Sequence, residues 1–261
     1  MNRSVTSWFW LVLLPLCLGL DAHGKSPAPS PAGQVTYLKG WAQVKRGGQW
    51  TRIDKGSALL WGDVVATGKK RTRLEIRLAD DSVVRLGRNS RLVIDKARFS
   101  SSGREFSARL MQGKVYAVVS RFTGSDSTFK ITTRNAVAGV RGTTFRIDAK
   151  KDRSTVVRVY TGAVAVSNAP IFAKPGRVPK PGKRGGVPRR GVKPGGPGRV
   201  EVAGPQEISK QEWEEMVAKA MQEIRVSAAG KLSAPVAFDA QADAADEWVA
   251  WNKSRDEQVK K

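Results

Sequence analysis

The sequence predicts a mainly β protein: an all-β domain of about ten short strands in a twisted or rolled sheet, followed by two C-terminal helices. Three observations support this prediction. Between residues 34 and 172, apolar residues alternate with polar residues at a period of two. Gly, Asp, Asn and Ser separate these runs at short intervals. After residue 208 the apolar residues recur at the period of a helix instead.

The clearest strand pair lies between Arg73 and Leu86. Leu74, Ile76 and Leu78 alternate with charged residues, and the Asp80-Asp81-Ser82 break leads into a second alternating run. This pattern is typical of a β-hairpin with one apolar face. Further strands are predicted at Val35–Val44, Leu59–Ala66, Leu92–Ile94, Phe106–Leu110, Lys114–Val119, Phe129–Thr132, Thr143–Ile147, Val156–Val159 and Ala163–Val166.

The C-terminal segment carries the two predicted helices. Ser209 and Glu212 form a capping box, and the apolar residues that follow share one helical stripe. These are Trp213, Met216, Val217, Ala220, Met221 and Ile224. The second helix is predicted from about Asp239 to Glu257, with Ala245, Trp248 and Trp251 on one side.

Both helices must bury an apolar face. We expect them to dock on the β domain, whose positive charge attracts an acidic segment. Alternatively they bind a partner, and the candidate residues are then Trp213, Met216, Trp248 and Trp251.

The N-terminus has the features of a secretory signal peptide over residues 1–22. Arg3 precedes an apolar run of 13 residues, Trp8 to Leu20, whereas a membrane-spanning helix needs about 20. We expect cleavage near Ala22, no stable membrane span afterwards, and an exported, periplasmic protein. Residues 23–33 are then a Pro-rich spacer.

Charge divides the rest of the chain. Residues 34–172 hold 27 Lys and Arg against 10 Asp and Glu, residues 173–199 hold 9 against none, and residues 200–261 hold 8 against 12. The middle segment is rich in Gly and Pro, so we predict a disordered basic linker or insertion. Its candidate anion-binding residues are Lys183, Arg184, Arg189 and Arg190.

Composition excludes several kinds of chemistry. Cys17 is the one cysteine and His23 the one histidine. A disulfide framework, a Cys/His zinc site and a Ser-His or Cys-His catalytic pair are therefore impossible. We expect no catalytic residue, metal or cofactor.

Two stretches carry a family resemblance. Gly62 to Gly68 reads GDVVATG, and Ala136 to Phe145 reads AVAGVRGTTF. With the surrounding strands, over about residues 34–172, they resemble the FecR domain. The signature residues are Ala138, Gly139, Val140, Arg141, Gly142, Thr143 and Phe145. Val200 to Ile208 resembles the closing strand of such domains, which would make the basic linker an insertion before the last strand.

The resemblance implies an all-β fold and a role in signal relay. The family's type member is a membrane protein that passes a signal from a ferric-siderophore receptor to a sigma factor, with a cytoplasmic anti-sigma segment before its membrane span. In this chain the predicted signal peptide stands where that segment would be.

Two further groups allow two interpretations each. Arg141 either recognises a partner or locks its turn by bonding to backbone carbonyls or to Asp148, and we favour the second. Trp41, Trp50 and Trp61 either form a carbohydrate-stacking surface or pack within the fold, and again we favour the second.

The leading functional hypothesis is a non-catalytic, exported FecR-domain interaction module of the cell envelope. It would bind an envelope protein or an anionic polysaccharide or lipopolysaccharide, and signalling is one form this role could take. The sequence indicates no particular oligomeric state.

Three alternatives stay open. The protein could belong to an iron-siderophore and sigma-factor pathway. Its basic surface could bind nucleic acid, although export argues against this. It could be an enzyme on envelope polysaccharide, using Asp80 with Asp81 or Asp63 with Glu75, although Asp80-Asp81 fits a hairpin turn better.

Overall fold

A computed structural model describes residues 31–100, 103–121, 127–168 and 217–259. These residues form 17 strands and two short helices, which confirms the prediction of a mainly β fold with two C-terminal helices. The strands are β1 Pro31–Lys39, β2 Ala42–Arg46, β3 Gln49–Arg52, β4 Ala58–Leu60, β5 Val64–Thr67, β6 Arg73–Leu78, β7 Val83–Leu86, β8 Arg91–Phe99, β9 Arg104–Val118, β10 Thr128–Thr132, β11 Ala136–Val140, β12 Thr144–Ala149, β13 Thr155–Thr161, β14 Ala163–Asn168, β15 Val217–Lys219, β16 Gln222–Val226 and β17 Val236–Ala237. The helices are α1 Ala240–Ala244 and α2 Glu247–Val259.

The strand pairing divides into two sheets that share β9. Sheet A has the order β4-β1-β6-β7-β9-β12-β13-β16-β17. Sheet B has the order β3-β2-β5-β8-β9-β10-β11-β14-β15. All of these pairings are antiparallel except that of β9 with β10. One apolar cluster contains residues of both sheets, so the sheets enclose a common core.

Strand β9 passes from one sheet to the other at Gly113. The part before Gly113 pairs with β8 in sheet B, and the part from Gly113 onwards pairs with β12 in sheet A. Gly113 has φ +94°, and a Cβ there would lie 2.5 Å from the Cα of Ser90. Glycine therefore allows one 15-residue strand where the sequence predicts two separate strands.

The predicted β-hairpin is strands β6 and β7. Leu74, Ile76 and Leu78 are buried in the common core, as the alternation indicated. The break between the strands forms the expected turn, in which Asp81 has φ +62° and the carboxylate of Asp80 accepts hydrogen bonds from Ser82.

The first predicted C-terminal helix is wrong where the structure describes it. Residues 217–219 and 222–226 are strands β15 and β16, joined by a turn at Met221 with φ +63°. They pair with β14 and β13, respectively. Tertiary pairing with strands that would otherwise be open edges has overridden the local helical spacing. Ser209 to Met216, including Trp213, lie outside the described residues.

These strands also change the extent of the β domain. Since β15 and β16 belong to sheets B and A, the domain continues past residue 172 to at least residue 226. Residues 169–216 are therefore inserted between two neighbouring strands of sheet B. The predicted signal peptide, the basic linker with its four anion-binding candidates and the proposed closing strand at 200–208 lie outside the described residues.

The second predicted C-terminal helix corresponds to α1 and α2. Asp239 caps α1, because its carboxylate accepts hydrogen bonds from the backbone N–H groups of Gln241 and Ala242. Neither described helix is both long enough and apolar enough to cross a membrane.

Candidate functional site

The family-signature residues form a crossing between the two sheets. β11 in sheet B ends at Val140, and β12 in sheet A begins at Thr144. Gly142 adopts φ +63° in the turn, and a Cβ there would lie 2.6 Å from Cγ of Arg121. Ala138 and Phe145 are buried on the two sides of the turn. Most of the signature therefore serves to join the sheets.

Two signature residues differ from the rest. Arg141 is exposed, and the carboxylate of Asp148 lies against Arg146 and Arg158 rather than against Arg141. Asp148 is therefore held by other arginines, and the expectation that Arg141 locks its turn by bonding to backbone carbonyls stays a prediction. Gly139 has no left-handed φ, and a Cβ there would meet no atom within 4 Å. The described fold gives no steric reason for glycine at this position.

The tail helices dock on the outer face of sheet A, as the first interpretation of the tail predicts. Trp248 is only 8% exposed, and its ring lies edge-on to Tyr116 with centroids 6.3 Å apart. Trp251 is half-buried beside Tyr37, at 5.4 Å between centroids. The partner-binding role suggested for Trp248 is therefore corrected, because its surface is used within the chain.

Complementary charge accompanies this docking. Carboxylates of the helical segment lie against cations of sheet A in four places. The pairs are Asp243 with Arg146, Asp246 with Lys114, Glu247 with Arg73 and Asp256 with Arg85. The expectation that the basic domain attracts the acidic tail is confirmed.

Glu75 of sheet A is buried beneath the helical segment, where it pairs with Arg85 and Arg255. Burial disfavours its charged form, but hydrogen bonds from Arg255, Thr36 and Arg85 outweigh burial and lower its pKa to about 2. Burial also raises the pKa of Tyr116, whose hydroxyl donates to Asp256 at 2.6 Å. These groups hold the helix in place and do not face a cleft.

The carboxylates considered for catalysis are all held by arginines. Asp80 pairs with Arg104, Asp63 with Arg46, Glu75 with Arg85 and Arg255, and exposed Asp81 lies 3.6 Å from Arg77. Each of these carboxylates therefore takes part in an ion contact with an arginine of the fold. Among the described residues, no group of three or more metal-ligating side chains comes together.

Three tryptophans of the N-terminal half, for which we expect buried or half-buried packing, are not buried. Trp41, Trp50 and Trp61 are 44%, 41% and 57% exposed. Trp41 follows the turn after β1. Trp50 lies on β3, which is the edge strand of sheet B and pairs with β2. Trp50 also lies over the Arg91 guanidinium, 5.8 Å from its ring centroid.

A continuous basic surface surrounds two adjoining cavities at the turns of the sheets. The cavities have volumes of about 630 and 730 Å³ and share Lys69, Asn89 and Gln112. We call this surface the basic edge, and define it by its eight exposed cations. They are Lys69, Lys70, Arg88, Arg91, Arg134, Lys150, Lys151 and Arg153.

None of the eight cations forms an ion pair within the described parts of the chain. Lys114 also lines the larger cavity but pairs with Asp246. Asp148 lines the larger cavity and is the one carboxylate among the residues that line the two cavities. Arg146 binds it at 2.9 Å. Asp152 lies on the same turn, where Ser154 donates hydrogen bonds that lower its pKa. The basic edge therefore has a large uncompensated positive charge.

Seven of the eight cations lie in turns between consecutive strands. Lys69 and Lys70 lie between β5 and β6, Arg88 between β7 and β8, and Arg134 between β10 and β11. Lys150, Lys151 and Arg153 lie in the β12–β13 turn. The sequence shows these basic turns as GKKR, GRN and KKDR, but their meeting at one edge depends on the pairing of strands far apart in the chain.

Comparison with known proteins agrees with the signature. Residues 63–165 match the family model described as FecR protein. No curated protein is similar to the chain at a significant level. Two crystal structures of a candidate anti-sigma factor from Parabacteroides distasonis ATCC 8503 are similar, each at 19% identity and a TM-score of 0.44. The alignments cover 68% of this chain and 61% of those, so the chain spans less than two thirds of their length. The residues that match the FecR protein model run from Asp63, just before β5, to Ala165 in β14.

Proposed function

We propose that this protein is a non-catalytic, exported FecR-domain module that binds an anionic polymer of the cell envelope through the basic edge. The FecR domain supports a regulatory rather than an enzymatic role. The observation that carries the polymer proposal is the group of eight cations without carboxylate partners around two adjoining cavities.

The distribution of charge favours a polymer over a small anion. Arg91 lines the smaller cavity and Arg153 the larger, while Lys69 lies between them. A chain of regularly spaced negative groups can neutralise such a surface along its whole length. The mutual repulsion of the eight cations falls when it binds. Attraction of this kind is screened by salt, since the Debye length is about 10 Å at 0.1 M and about 3 Å at 1 M.

Export is part of the proposal and rests on residues 1–22. Cell fractionation with N-terminal sequencing should find a soluble extracytoplasmic protein that begins near residue 23. Recovery of the intact Met1 terminus in the cytosol would contradict it.

The binding proposal is tested with purified lipopolysaccharide and with polygalacturonate, a model polyuronate. One variant replaces Lys69, Lys70, Arg88 and Arg153 by Gln. A matched control replaces four exposed cations outside the basic edge, Lys55, Arg98, Lys219 and Lys231, so that both variants lose the same net charge. At 0.05 M salt we expect the first variant to bind at least tenfold more weakly than wild type, and the control to stay within threefold.

Two results would overturn the basic edge as the site. The first is an equal loss in both variants, which would indicate attraction by net charge alone. The second is full binding by the four-residue variant together with loss of binding when residues 174–199 are deleted. That result would assign the site to the linker and its Lys183, Arg184, Arg189 and Arg190.

A protein partner is a second candidate, favoured by Gly139. This residue lies on the outer face of sheet B in a shallow cavity of about 370 Å³, together with Ala163 and Ala165. Small side chains there leave the backbone open to close approach. A photo-crosslinker at Val137 should then capture an envelope protein in intact cells, and Gly139→Trp should abolish this capture.

A further inference from the structure

We infer that the polymer is a glycan whose sugar rings stack on Trp41 while its acidic groups bind Lys69, Lys70 and Arg91. This inference rests on the proposed function, because it specifies the ligand of the same surface. It adds an aromatic contact and a set of amide groups, neither of which electrostatic attraction requires.

Trp41 lines the smaller cavity beside Gly68, and its backbone is held there. Its carbonyl accepts a hydrogen bond from the N–H of Gly68 at 2.8 Å. The position of a Cβ on Gly68 would be 3.5 Å from the indole ring, so one part of the ring rests on this glycine. The ring is still 44% exposed and lines the cavity beside Lys69 and Lys70. An exposed indole presents an electron-rich face to the C–H groups of a sugar ring.

The strand register continues the surface away from Trp41. On sheet B, Gln43 lies opposite Ala66, Ala66 opposite Arg91, and Arg91 opposite Gln112. Strands in a sheet are about 4.8 Å apart, so this row extends over roughly 14 Å. Ala66 is the short side chain in the row and leaves space between Gln43 and Arg91, where the cavity lies.

The polar groups of this row match sugar chemistry. Each amide of Gln43 and Gln112 offers donors and an acceptor, as hydroxyl groups require. Nε2 of Gln112 makes only long contacts, of 3.3 Å, with Asn89. Arg91 supplies a planar fork that binds a carboxylate in two places, and Trp50 stacks on its guanidinium. A polymer of phosphate alone would use the cations but neither the indole nor the amides.

Three polyanions separate these chemistries: polygalacturonate, polyphosphate and the single-stranded DNA oligo(dT). Each is titrated against wild type, Trp41→Ala, Trp41→Phe and the control Trp61→Ala, whose tryptophan is more exposed and lines neither cavity. We expect Trp41→Ala to weaken polygalacturonate binding at least tenfold and to change polyphosphate binding less than threefold. Trp41→Phe should restore most of the affinity, and Trp61→Ala should bind as wild type.

The outcomes distinguish this inference from the proposed function. If Trp41→Ala binds polygalacturonate as tightly as wild type, the glycan inference is wrong and the electrostatic site stands. If oligo(dT) binds more tightly than polygalacturonate and depends on Trp41, the ligand is a nucleic acid and the glycan inference is again wrong. If neither these polyanions nor lipopolysaccharide binds, the proposed function itself fails.

Discussion

The guanidinium of Arg85 and the carboxylate of Glu75 face each other across strands β6 and β7, with Nε and Oε2 2.8 Å apart. Their side chains are 1% and 4% exposed, although they lie on the outer face of sheet A. Helix α2 covers them, and it adds Arg255 to Glu75 and Asp256 to Arg85. The two charges therefore belong to a buried network that joins the β domain to its C-terminal helix.

Glu75→Gln should destabilise the protein by about 3 kcal/mol, because it leaves buried Arg85 with Asp256 alone and removes the carboxylate that pairs with Arg255. Urea unfolding monitored by circular dichroism measures this change. The matched control is Glu105→Gln, which removes an exposed ion pair with Lys96 at 2.6 Å. The loss should be much smaller than that of Glu75→Gln, because exposed ion pairs contribute little to stability. Equal losses in the two variants would contradict the special role of the buried pair.

The pH dependence of the unfolding free energy should also report on the ion pairs of Glu75. The pKa of Glu75 falls from its ordinary value of 4.5 to about 2 in the folded protein. A lowered folded pKa means that the stabilisation is complete above pH 4.5 and is lost as the pH falls towards 2. The difference in unfolding free energy between wild type and Glu75→Gln should therefore narrow over this range. A constant difference from pH 7 to pH 2.5 would refute the assignment.

Much of the fold could be predicted from local pattern. The alternation at Leu74, Ile76 and Leu78 identified the β6–β7 hairpin and its core face. It could not show that the opposite face, with Glu75, is also buried, because the covering helix lies about 170 residues later in the chain. The same limit explains the error at residues 217–226, where helical spacing gave way to pairing with β13 and β14.

The candidate site was less accessible to sequence reasoning. Net charge indicated an anionic ligand, but the runs of basic residues in separate turns gave no sign that they meet at one edge. The prediction concentrated on Lys183 to Arg190, where the charges are adjacent in the chain. The sequence favours buried or half-buried packing for Trp41 and Trp50, because large aromatic residues are usually buried. It does not show that Trp50 lies over Arg91 or that Trp41 lines a cavity.

Trp248→Ala should destabilise the protein by about 3 kcal/mol, because the ring packs against Tyr116 and Gly87 and is only 8% exposed. Trp61→Ala is the control, and it should change stability by less than about 0.5 kcal/mol at 57% exposure. Urea unfolding of both variants tests this. If Trp248→Ala is as stable as wild type but loses a binding partner, the partner-binding interpretation of this tryptophan would be restored.

The two signature glycines should respond in opposite ways to alanine. Gly142→Ala forces a side chain into a left-handed conformation, at φ +63°, and places its Cβ 2.6 Å from Cγ of Arg121. We expect the unfolding free energy to fall by about 1–2 kcal/mol from the backbone alone.

In Gly139→Ala the new Cβ meets no atom within 4 Å, and the residue has an unstrained strand conformation. It should leave stability unchanged or raise it by about 0.5 kcal/mol, since alanine restricts the unfolded chain more than glycine does. Thermal unfolding of both variants provides the measurement, and a greater loss for Gly139→Ala than for Gly142→Ala would contradict the described turn. With folding intact, any loss of envelope binding in Gly139→Ala reports on the outer surface of sheet B, so this variant separates the recognition role of the signature from its role in joining the sheets.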